Sequence, residues 1–388
     1  MRIGITTFYY KVYNYGANLQ AYALCRVLEK MGYEAEQLCF NTSDGFPEYE
    51  LPFPRNVIIG IKVFIAQIIL TARHFKYFIL HKQRLRAVER FLNKRVPHSK
   101  RIYKLSNIAE SQAEYDMFIT GSDVVWSPVT NSPIFFLRFL NIETPKLAYA
   151  PSLGTDKLSD EEKLRFHKDL ESFIDISIRE KSVVPLVARV SGRDVKHCVD
   201  STLLLDEDEW NFVCGKRIVD TPYVFCYFLG NNEAAKNLAI EYAEKYDLTL
   251  VNIPYYWESY SKFTDFGDVK LSAVSAADFL SLIKYAHSVF TDSFHACVFS
   301  EIFRTQFFAV NRGRDDRLSM RLIDFLTETG TIDHYCVGDE KLNLEYIDCI
   351  KNIDFNIVHG RLAKLKEPSM EYLKRNIETV EQLLKMSK

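Results

Sequence analysis

The sequence lacks the patterns that mark several common protein classes. Its eight cysteines include no CxxC pair, which argues against a zinc site or a disulfide framework and favours reduced thiols. No run reaches the roughly 18 apolar residues needed to span a bilayer. The formal net charge of −2 argues against a general nucleic-acid-binding protein. Neither a GxGxxG motif nor a P-loop motif is present, so neither a dinucleotide nor a P-loop nucleotide is indicated.

What is present suits a folded protein with more than one hydrophobic core. The chain has 388 residues, of which 47% are hydrophobic and 14% aromatic, and this length predicts two or three domains. Predicted strands and helices alternate along it, beginning with a strand at 2–8, a helix at 17–31 and a strand at 35–40. This order predicts an α/β fold with parallel sheets covered by helices on both faces.

The pattern divides into two units of similar size. We predict an N-terminal unit over residues 1–213, a C-terminal unit over 214–365 and a terminal segment, 366–388, whose amphipathic helix packs back on the first unit. The segment 206–220 is the expected linker. Two such units leave a cleft into which the carboxyl ends of the strands face, and ligands of open α/β sheets bind at such ends.

Segment 55–101 is unusually basic, with twelve Lys or Arg residues and one acid, Glu89. One interpretation is a pair of helices that cover a core and expose solvated basic faces. The other is a patch that sits on an anionic membrane, where each Lys or Arg contributes about 1 kcal/mol. Residues 3–8 resemble a buried strand rather than a secretory signal. We therefore expect a cytoplasmic protein, held peripherally at the inner face of the cell membrane.

His295 lies on the first turn of a predicted helix that directly follows a strand, Ser288–Thr291. Asp292 and Ser293 are both suitable N-cap residues, because their side-chain oxygens accept bonds from free helix amides. A helix N-terminus at a strand end also suits a phosphate or carboxylate. The alternative is a capped helix with an incidental histidine.

Other polar clusters follow other predicted strands. The first cluster, residues 13–20, follows the predicted strand 2–8. It contains a glycine that permits close backbone approach and several side-chain amides that suit sugar hydroxyls; the alternative is that these residues only cap the next helix. The second offers Asp123, which either accepts a hydroxyl proton or caps a helix, and Trp126, which either stacks on a sugar or packs in the core. We take the acceptor-binding candidates from these turns and from the aromatic loop 255–260: Asn14, Tyr15, Gly16, Asn18, Gln20, Ser122, Trp126 and Trp257.

Arginines mark two further turns. Arg179 leaves a buried strand, which is costly unless its guanidinium meets an anion, either a neighbouring acid such as Glu180 or a substrate. The loop 311–317 carries Arg312, Arg314 and Arg317 around one glycine, and is either an anion clamp or a solvated loop.

Five of these stretches occur in an order that resembles the polysaccharide pyruvyl transferase family. They are Asn14–Leu24, Gly121–Trp126, Tyr149–Gly154, Ser177–Glu180 and Thr291–His295. The resemblance runs from about residue 1 to 330. It implies two Rossmann-like domains in a glycosyltransferase-B-type arrangement, with phosphoenolpyruvate as donor and a pair of sugar hydroxyls as acceptor. The products would be a pyruvate ketal and phosphate.

The resemblance also implies roles for individual residues. Arg179 and His295 match positions that the family associates with phosphoenolpyruvate. Better characterised members have Arg-Leu-His where this chain has Ser293-Phe294-His295, so we expect arginines of the 311–317 loop to restore the missing charge. We assign His295 and Asp123 to catalysis, and a donor-binding set to Arg179, Ser293, Arg312, Arg314 and Arg317.

These assignments predict a ketal pyruvyltransferase that acts on a lipid-linked repeat of a surface polysaccharide. Phosphoenolpyruvate is a co-substrate, and no metal, cofactor or nucleic-acid partner is expected. A glycosyltransferase that uses a nucleotide sugar would have the same architecture. A third interpretation is a non-catalytic scaffold of a polysaccharide assembly complex, because Ser293 replaces the arginine of the family pattern.

Overall fold

The structure, a computed structural model, describes residues 1–12, 14–40, 75–254, 266–313, 319–338 and 340–386. Two parallel sheets form its framework. The first has seven strands in the order β3-β2-β1-β4-β5-β6-β7. They are β1 (Arg2–Thr6), β2 (Glu34–Phe40), β3 (His98–Tyr103), β4 (Met117–Thr120), β5 (Lys146–Ala148), β6 (Asp175–Ile178) and β7 (Lys196–His197).

The second sheet has five parallel strands in the order β10-β9-β8-β11-β12. They are β8 (Tyr223–Tyr227), β9 (Thr249–Asn252), β10 (Val269–Lys270), β11 (Ser288–Thr291) and β12 (Gln306–Ala309). The prediction of an α/β fold with two parallel sheets is confirmed. β4, β8 and β11 are buried along their whole length, as expected for central strands that helices cover on both faces.

Helices connect the strands. In chain order they are α1 (Tyr15–Lys30), α2 (Phe75–Arg95), α3 (Asp160–Leu170), α4 (Val184–Ser191), α5 (Glu207–Val213), α6 (Glu233–Lys245), α7 (Ala276–Lys284), α8 (Phe294–Ile302), α9 (Ser319–Thr329), α10 (Leu344–Cys349) and α11 (Phe355–Met386). Short 3-10 helices lie at Ile108–Ala113, Lys181–Val183, Ser201–Leu204 and Ile332–His334.

The expected linker, 206–220, contains a helix. Asp206 caps α5 and forms a reciprocal capping box with Glu209, an arrangement that satisfies two free backbone donors. Trp210 of α5 is buried, and its indole N–H donates to the Thr202 carbonyl at 3.0 Å. Its ring also packs against Phe299 of α8. This segment is therefore a packed connection between elements of both sheets.

The final helix, α11, begins at Phe355, before the terminal segment 366–388 in which the sequence predicted it. Pro368 lies inside it, and proline removes one backbone hydrogen bond and so suggests a helix start in a sequence. The later half of α11 contacts the first sheet. The Tyr372 hydroxyl donates to the Ala148 carbonyl at 3.0 Å, and the Val199 amide donates to Ser369 Oγ at 3.0 Å. The domain limits given above remain predictions.

The described part of the basic segment is α2, β3 and the turn between them. α2 buries Arg84, whose guanidinium lies over the ring of Tyr15 at 5.0 Å and donates to the Pro254 carbonyl at 3.3 Å. Ala87 and Val88 are also buried on this face. Residues 55–74 of the predicted membrane patch lie outside the described residues. Arg84 therefore faces the core, and the exposed basic face of α2 is smaller than the sequence suggested.

Candidate functional site

His295 lies on the first turn of α8, directly after β11, as predicted. Ser293 caps this helix by accepting the Ala296 amide at 3.5 Å. The imidazole is 6% exposed and is packed against Gly16 at the start of α1. A Cβ at Gly16 would lie only 2.1 Å from His295 Nδ1. The glycine of the first motif is therefore required for the close approach of α1 and α8, and the structure brings these two motifs into contact.

Asp292 does not cap α8. Its carboxylate instead accepts the backbone amides of Leu229 and Gly230, each at 2.7 Å. These amides belong to the turn that follows β8, so Asp292 joins the carboxyl ends of two adjacent strands. The expectation that Asp292 serves as an N-cap residue was wrong, because Ser293 occupies that position.

Asp200 is the centre of the charged cluster, and the sequence did not single it out. Its carboxylate is fully buried and lies at the turn after β7. Oδ2 accepts Nη1 of Arg179 at 2.9 Å and lies 3.6 Å from Nε2 of His295. Oδ1 accepts both the backbone amide and the hydroxyl of Thr202, at 3.0 and 2.7 Å. Asp200 therefore bridges the imidazole and the guanidinium.

The electrostatics of this bridge favour the charged carboxylate. Burial by itself would raise the pKa of Asp200, but the neighbouring His295 and Arg179 outweigh it and hold the pKa well below its usual range. Nε2 of His295 has no hydrogen-bond partner among the described residues. Because 3.6 Å exceeds a normal hydrogen bond, the imidazole has room to engage another group at this nitrogen.

Arg179 is buried among three carboxylates. Its guanidinium lies 2.9 Å from Asp200, 3.5 Å from Glu180 and 3.8 Å from Asp123, and it covers the ring of Phe294 at 4.4 Å. Burial would lower the pKa of Arg179, yet the three acids raise it overall. Nη2 lacks a hydrogen-bond partner in the described part of the chain, as do both carboxylate oxygens of Glu180. Buried polar groups in this state are expected to meet a ligand or a water.

A further arginine, Arg321 of α9, lies beside this cluster and was not predicted. Burial, together with the positive charges of Arg179 and Arg312, lowers the pKa of Arg321 to about 9. Three guanidinium groups from the turn after β6, the loop after β12 and α9 therefore repel one another, while Asp123 and Glu180 partly offset this repulsion. An anion placed among the three would offset it further. Arg314 and Arg317 lie outside the described residues.

The predicted acceptor amides hold the strand ends together. Gln20 Nε2 donates to Thr7 Oγ1 at 2.9 Å, and its Oε1 accepts the hydroxyl of Ser122 at 3.1 Å. The hydroxyl of Ser201, next to Asp200, donates to the Gln20 carbonyl at 2.8 Å. These bonds join the turns after β1, β4 and β7, and they place Asp200 against the start of α1.

The other first-turn candidates also bond to the protein itself. Asn14 caps α1 through the Ala17 amide at 3.3 Å, and Asn18 donates to the Val12 carbonyl at 3.1 Å. These contacts agree with the alternative interpretation, in which the first-turn amides cap the helix and do not bind a sugar.

The predicted aromatic candidates are core residues where the structure describes them. Tyr15 is fully buried and stacks on Phe279 of α7 at 4.9 Å, and burial raises its pKa. Trp126 is fully buried, stacks on Phe136 at 5.5 Å and donates its indole N–H to the Phe135 carbonyl. Both side chains pack in the core and offer no ring face to a sugar, and for Trp126 this is the core-packing role named above. Trp257 lies outside the described residues.

A comparison with known protein families identifies the family of this chain. The model of the polysaccharide pyruvyl transferase family matches residues 14–314. The chain belongs to this family. Its members are transferases of polysaccharide biosynthesis.

Solved structures show the same fold. UDP-GlcNAc 2-epimerase from Methanocaldococcus jannaschii superposes with a TM-score of 0.55 at 12% identity, over 98% of this chain and 100% of that chain. The UDP-GlcNAc 2-epimerase from Neisseria meningitidis gives 0.52 at 9% identity, over 98% and 100%. These neighbours have the glycosyltransferase-B-type fold, and at such identities the likeness concerns the fold alone. No curated protein matches the chain.

None of the helices in the described ranges combines the length and apolar character required to cross a membrane. Within those ranges, His, Cys, Asp and Glu side chains do not gather in a group of three or more that could hold a metal ion.

Proposed function

We propose that this transferase moves a pyruvyl group from phosphoenolpyruvate to two hydroxyls of one sugar in a lipid-linked surface-polysaccharide repeat. The main support is the family membership combined with one feature of the site. Three guanidinium groups, those of Arg179, Arg312 and Arg321, lie close enough to depress the pKa of Arg321. Phosphoenolpyruvate carries a carboxylate and a phosphate, which are the groups that clustered arginines bind best.

Donor binding requires a rearrangement of α9. The cavity beside Arg179 and Arg321 has a volume of about 20 Å³, which is space for about one water molecule. α9 is held in place by Asp324, whose carboxylate accepts the amide and the hydroxyl of Ser182 at 2.9 and 2.7 Å. In this proposal α9 moves outward to admit the donor, and Arg321 then returns to the bound anion.

The reaction needs one proton donor and acceptors for two hydroxyl protons. In the proposed sequence His295 protonates C3 of phosphoenolpyruvate, so that C2 becomes oxocarbenium-like. One sugar hydroxyl adds at C2, the C2–O bond to phosphate breaks, and the neighbouring hydroxyl closes the ketal. Of the two hydroxyl protons, one replaces the proton that His295 gave and the other leaves with phosphate. Asp123, near Arg179, is the candidate acceptor for a hydroxyl proton.

The charge of the site supports the first step. Asp200 is a buried carboxylate near Nε2 of His295, and its negative charge stabilises the imidazolium that donates the proton. Arg179 and Arg321 then stabilise the negative charge on the departing phosphate. The chain's own residues thus supply a proton donor and a cationic clamp in one buried cluster.

Mass spectrometry of the source organism's polysaccharide repeat tests this function. The repeat from cells with the protein should carry a pyruvate ketal that is missing from cells without it. A repeat that instead loses a whole sugar would indicate a glycosyltransferase. Loss of polymer in the deletion strain, with full recovery by an His295→Ala variant, would indicate a non-catalytic scaffold.

We also propose that the protein binds the anionic inner face of the cell membrane through α2. The exposed face of α2 carries Lys82, Arg86, Arg90 and Lys94, with Glu89 as its acid. Replacing these four basic residues with Gln should release the protein from vesicles that contain anionic lipid. Binding by the unaltered protein should also weaken with salt, because surface charges are screened within about 10 Å at 0.1 M.

The matched control replaces four exposed lysines on α3 and α11, namely Lys163, Lys168, Lys364 and Lys374, with Gln. This control has the same net charge as the α2 variant but keeps the α2 face. It should still float with the vesicles. Equal flotation of both variants would contradict the proposed surface.

A further inference from the structure

A large cavity lies between the segments that follow β4 and β5 and the first turns of α9. Its volume is about 920 Å³, near the upper end of the roughly 300–1,000 Å³ that small-molecule sites occupy. Residues 127–129 and 153–159, from the turns after β4 and β5, form one side of it. The first turns of α9, with Ser319, Met320 and Ile323, form the other. Elements around both sheets therefore enclose it.

The segments that line the cavity are next in sequence to residues of the candidate site or to their hydrogen-bond partners. The Asp123 carbonyl accepts the Ser152 amide at 2.8 Å, and the Trp126 amide donates to the Ser152 carbonyl at 3.2 Å. The cavity segments begin one residue beyond these bonds, at 127 and 153. On the other side Met320 immediately precedes Arg321. We therefore expect a ligand in the cavity to extend toward Asp123 and the arginine cluster.

The lining has the mixed character that a saccharide requires. Val129 is 82% exposed and Ile323 is 41% exposed, so aliphatic surface is available to the C–H faces of sugar rings. Ser127, Asp156 and Lys157 add a hydroxyl, a carboxylate and an amine that can bond to sugar hydroxyls. By contrast, the side chains of Gln20, Ser122 and Trp126 are buried and form hydrogen bonds within the protein.

We infer that this cavity, rather than the first-turn amides, binds the saccharide chain of the acceptor. This inference rests on the proposed function, because a pyruvyl acceptor must reach the donor site. The sugar that reacts lies at the Asp123 end, and the following sugars of the repeat occupy the space between Val129 and Ile323. This arrangement leaves the arginine cluster to the donor.

Two cavity-filling variants, Val129→Trp and Ile323→Trp, test the inference. Both positions are exposed, so the larger side chain enters the cavity without disturbing the core. The matched control is Ile142→Trp, because Ile142 is 77% exposed but precedes β5 and so lies at the opposite edge of the sheet. The probe is an oligosaccharide released from the source organism's surface polysaccharide, with its ketals removed by mild acid. Each variant is measured for the KM of this oligosaccharide and of phosphoenolpyruvate.

In Val129→Trp and Ile323→Trp the KM for the oligosaccharide should rise at least tenfold, and the KM for phosphoenolpyruvate should stay within twofold. In Ile142→Trp neither KM should change. Calorimetric binding of the oligosaccharide should weaken by the same factor, and this readout does not depend on turnover. Unchanged oligosaccharide affinity in both filled variants would overturn the inference. If the unaltered protein binds the oligosaccharide but transfers no pyruvyl group, the proposed function fails while the assignment of the cavity is still decided by the binding data.

Discussion

Replacing Asp200 with Asn probes the charge at the centre of the site. The variant keeps the side-chain volume and an oxygen that can accept the Thr202 amide, but it removes the negative charge between Arg179 and His295. Breaking a buried ion pair by removing one partner costs about 3–5 kcal/mol. Arg179 keeps its contacts with Glu180 and Asp123 at 3.5 and 3.8 Å, so we expect the lower end, about 3 kcal/mol.

The loss should depend on pH in a defined direction. The pKa of Asp200 is depressed in the folded state, so its contribution is fully present above the unfolded value of about 3.9 and is lost as pH falls below it. The difference between the unaltered protein and Asp200→Asn should therefore be constant from pH 7 to pH 5 and shrink below about pH 4. For a chain of this size, 3 kcal/mol corresponds to a fall in Tm of roughly 4 °C.

Thermal unfolding followed by circular dichroism at several pH values measures this. The control is Asp175→Asn at the start of β6, where the carboxylate accepts Arg375 Nη2 at 2.8 Å near the surface. Exposed pairs of this kind contribute about 0–1 kcal/mol. If Asp200→Asn loses no more stability than Asp175→Asn at pH 7, the charge of Asp200 does not stabilise the cluster and this interpretation is wrong.

Three further variants test other contacts. Gly16→Ala places a methyl 2.1 Å from the His295 ring and should reduce turnover about 100-fold, whereas Gly360→Ala, with open space around its Cβ position, should leave turnover unchanged; equal turnover in both would contradict the contact. Arg321→Met should raise the KM for phosphoenolpyruvate at least tenfold and leave the KM for the acceptor within twofold, because it removes one cation of the proposed clamp; an unchanged KM for phosphoenolpyruvate would contradict a role in the clamp. Burial raises the pKa of Glu301 to about 8, so the folded state holds its proton while the unfolded state releases it above about pH 4.3. Glu301→Gln should therefore gain stability over the unaltered protein as pH rises from 5 to 8, and a constant difference in unfolding free energy would contradict this.

Much of the framework was predictable from local patterns. Strands such as Ser288–Thr291 are short runs next to capping residues, and Ser159 caps α3 in a capping box with Glu162, a pattern that is visible in the sequence. The start of α11 was missed because Pro368 resembles a helix boundary, although neighbouring elements stabilise the helix on both sides of it. Local patterns thus predict elements better than they predict their limits.

The site was predictable in part. His295, Asp123 and Arg179 follow strands, and strand ends of parallel sheets meet at one edge, so their proximity followed from the fold. Asp200 carries the same signal, since it follows the strand predicted at 195–199, and it could have been found by the same rule. Arg321 could not be found in this way, because an arginine in an amphipathic helix is usually expected to be exposed to solvent.

The polar character of a residue did not by itself show whether its side chain binds a ligand or stabilises the fold. Gln20 and Ser122 have the side chains of a sugar site, but they bond to each other across 102 residues of sequence. Trp126 could stack on a sugar or fill a core, and only the positions of Phe136 and Phe135 decide between the two. Such choices depend on tertiary contacts that no local pattern encodes.

The most direct test of the central claim is transfer of label from phosphoenolpyruvate that is isotope-labelled in its pyruvyl carbons. Purified protein, ketal-free acceptor and labelled donor are incubated together, and the acceptor label and free phosphate are both measured. The unaltered protein should incorporate label and release phosphate in equal amounts, and His295→Ala, while still folded, should be slower by about 10²- to 10⁴-fold. Exposed His167→Ala should react normally. No label from phosphoenolpyruvate, but transfer of a labelled sugar from a nucleotide sugar, would contradict the account.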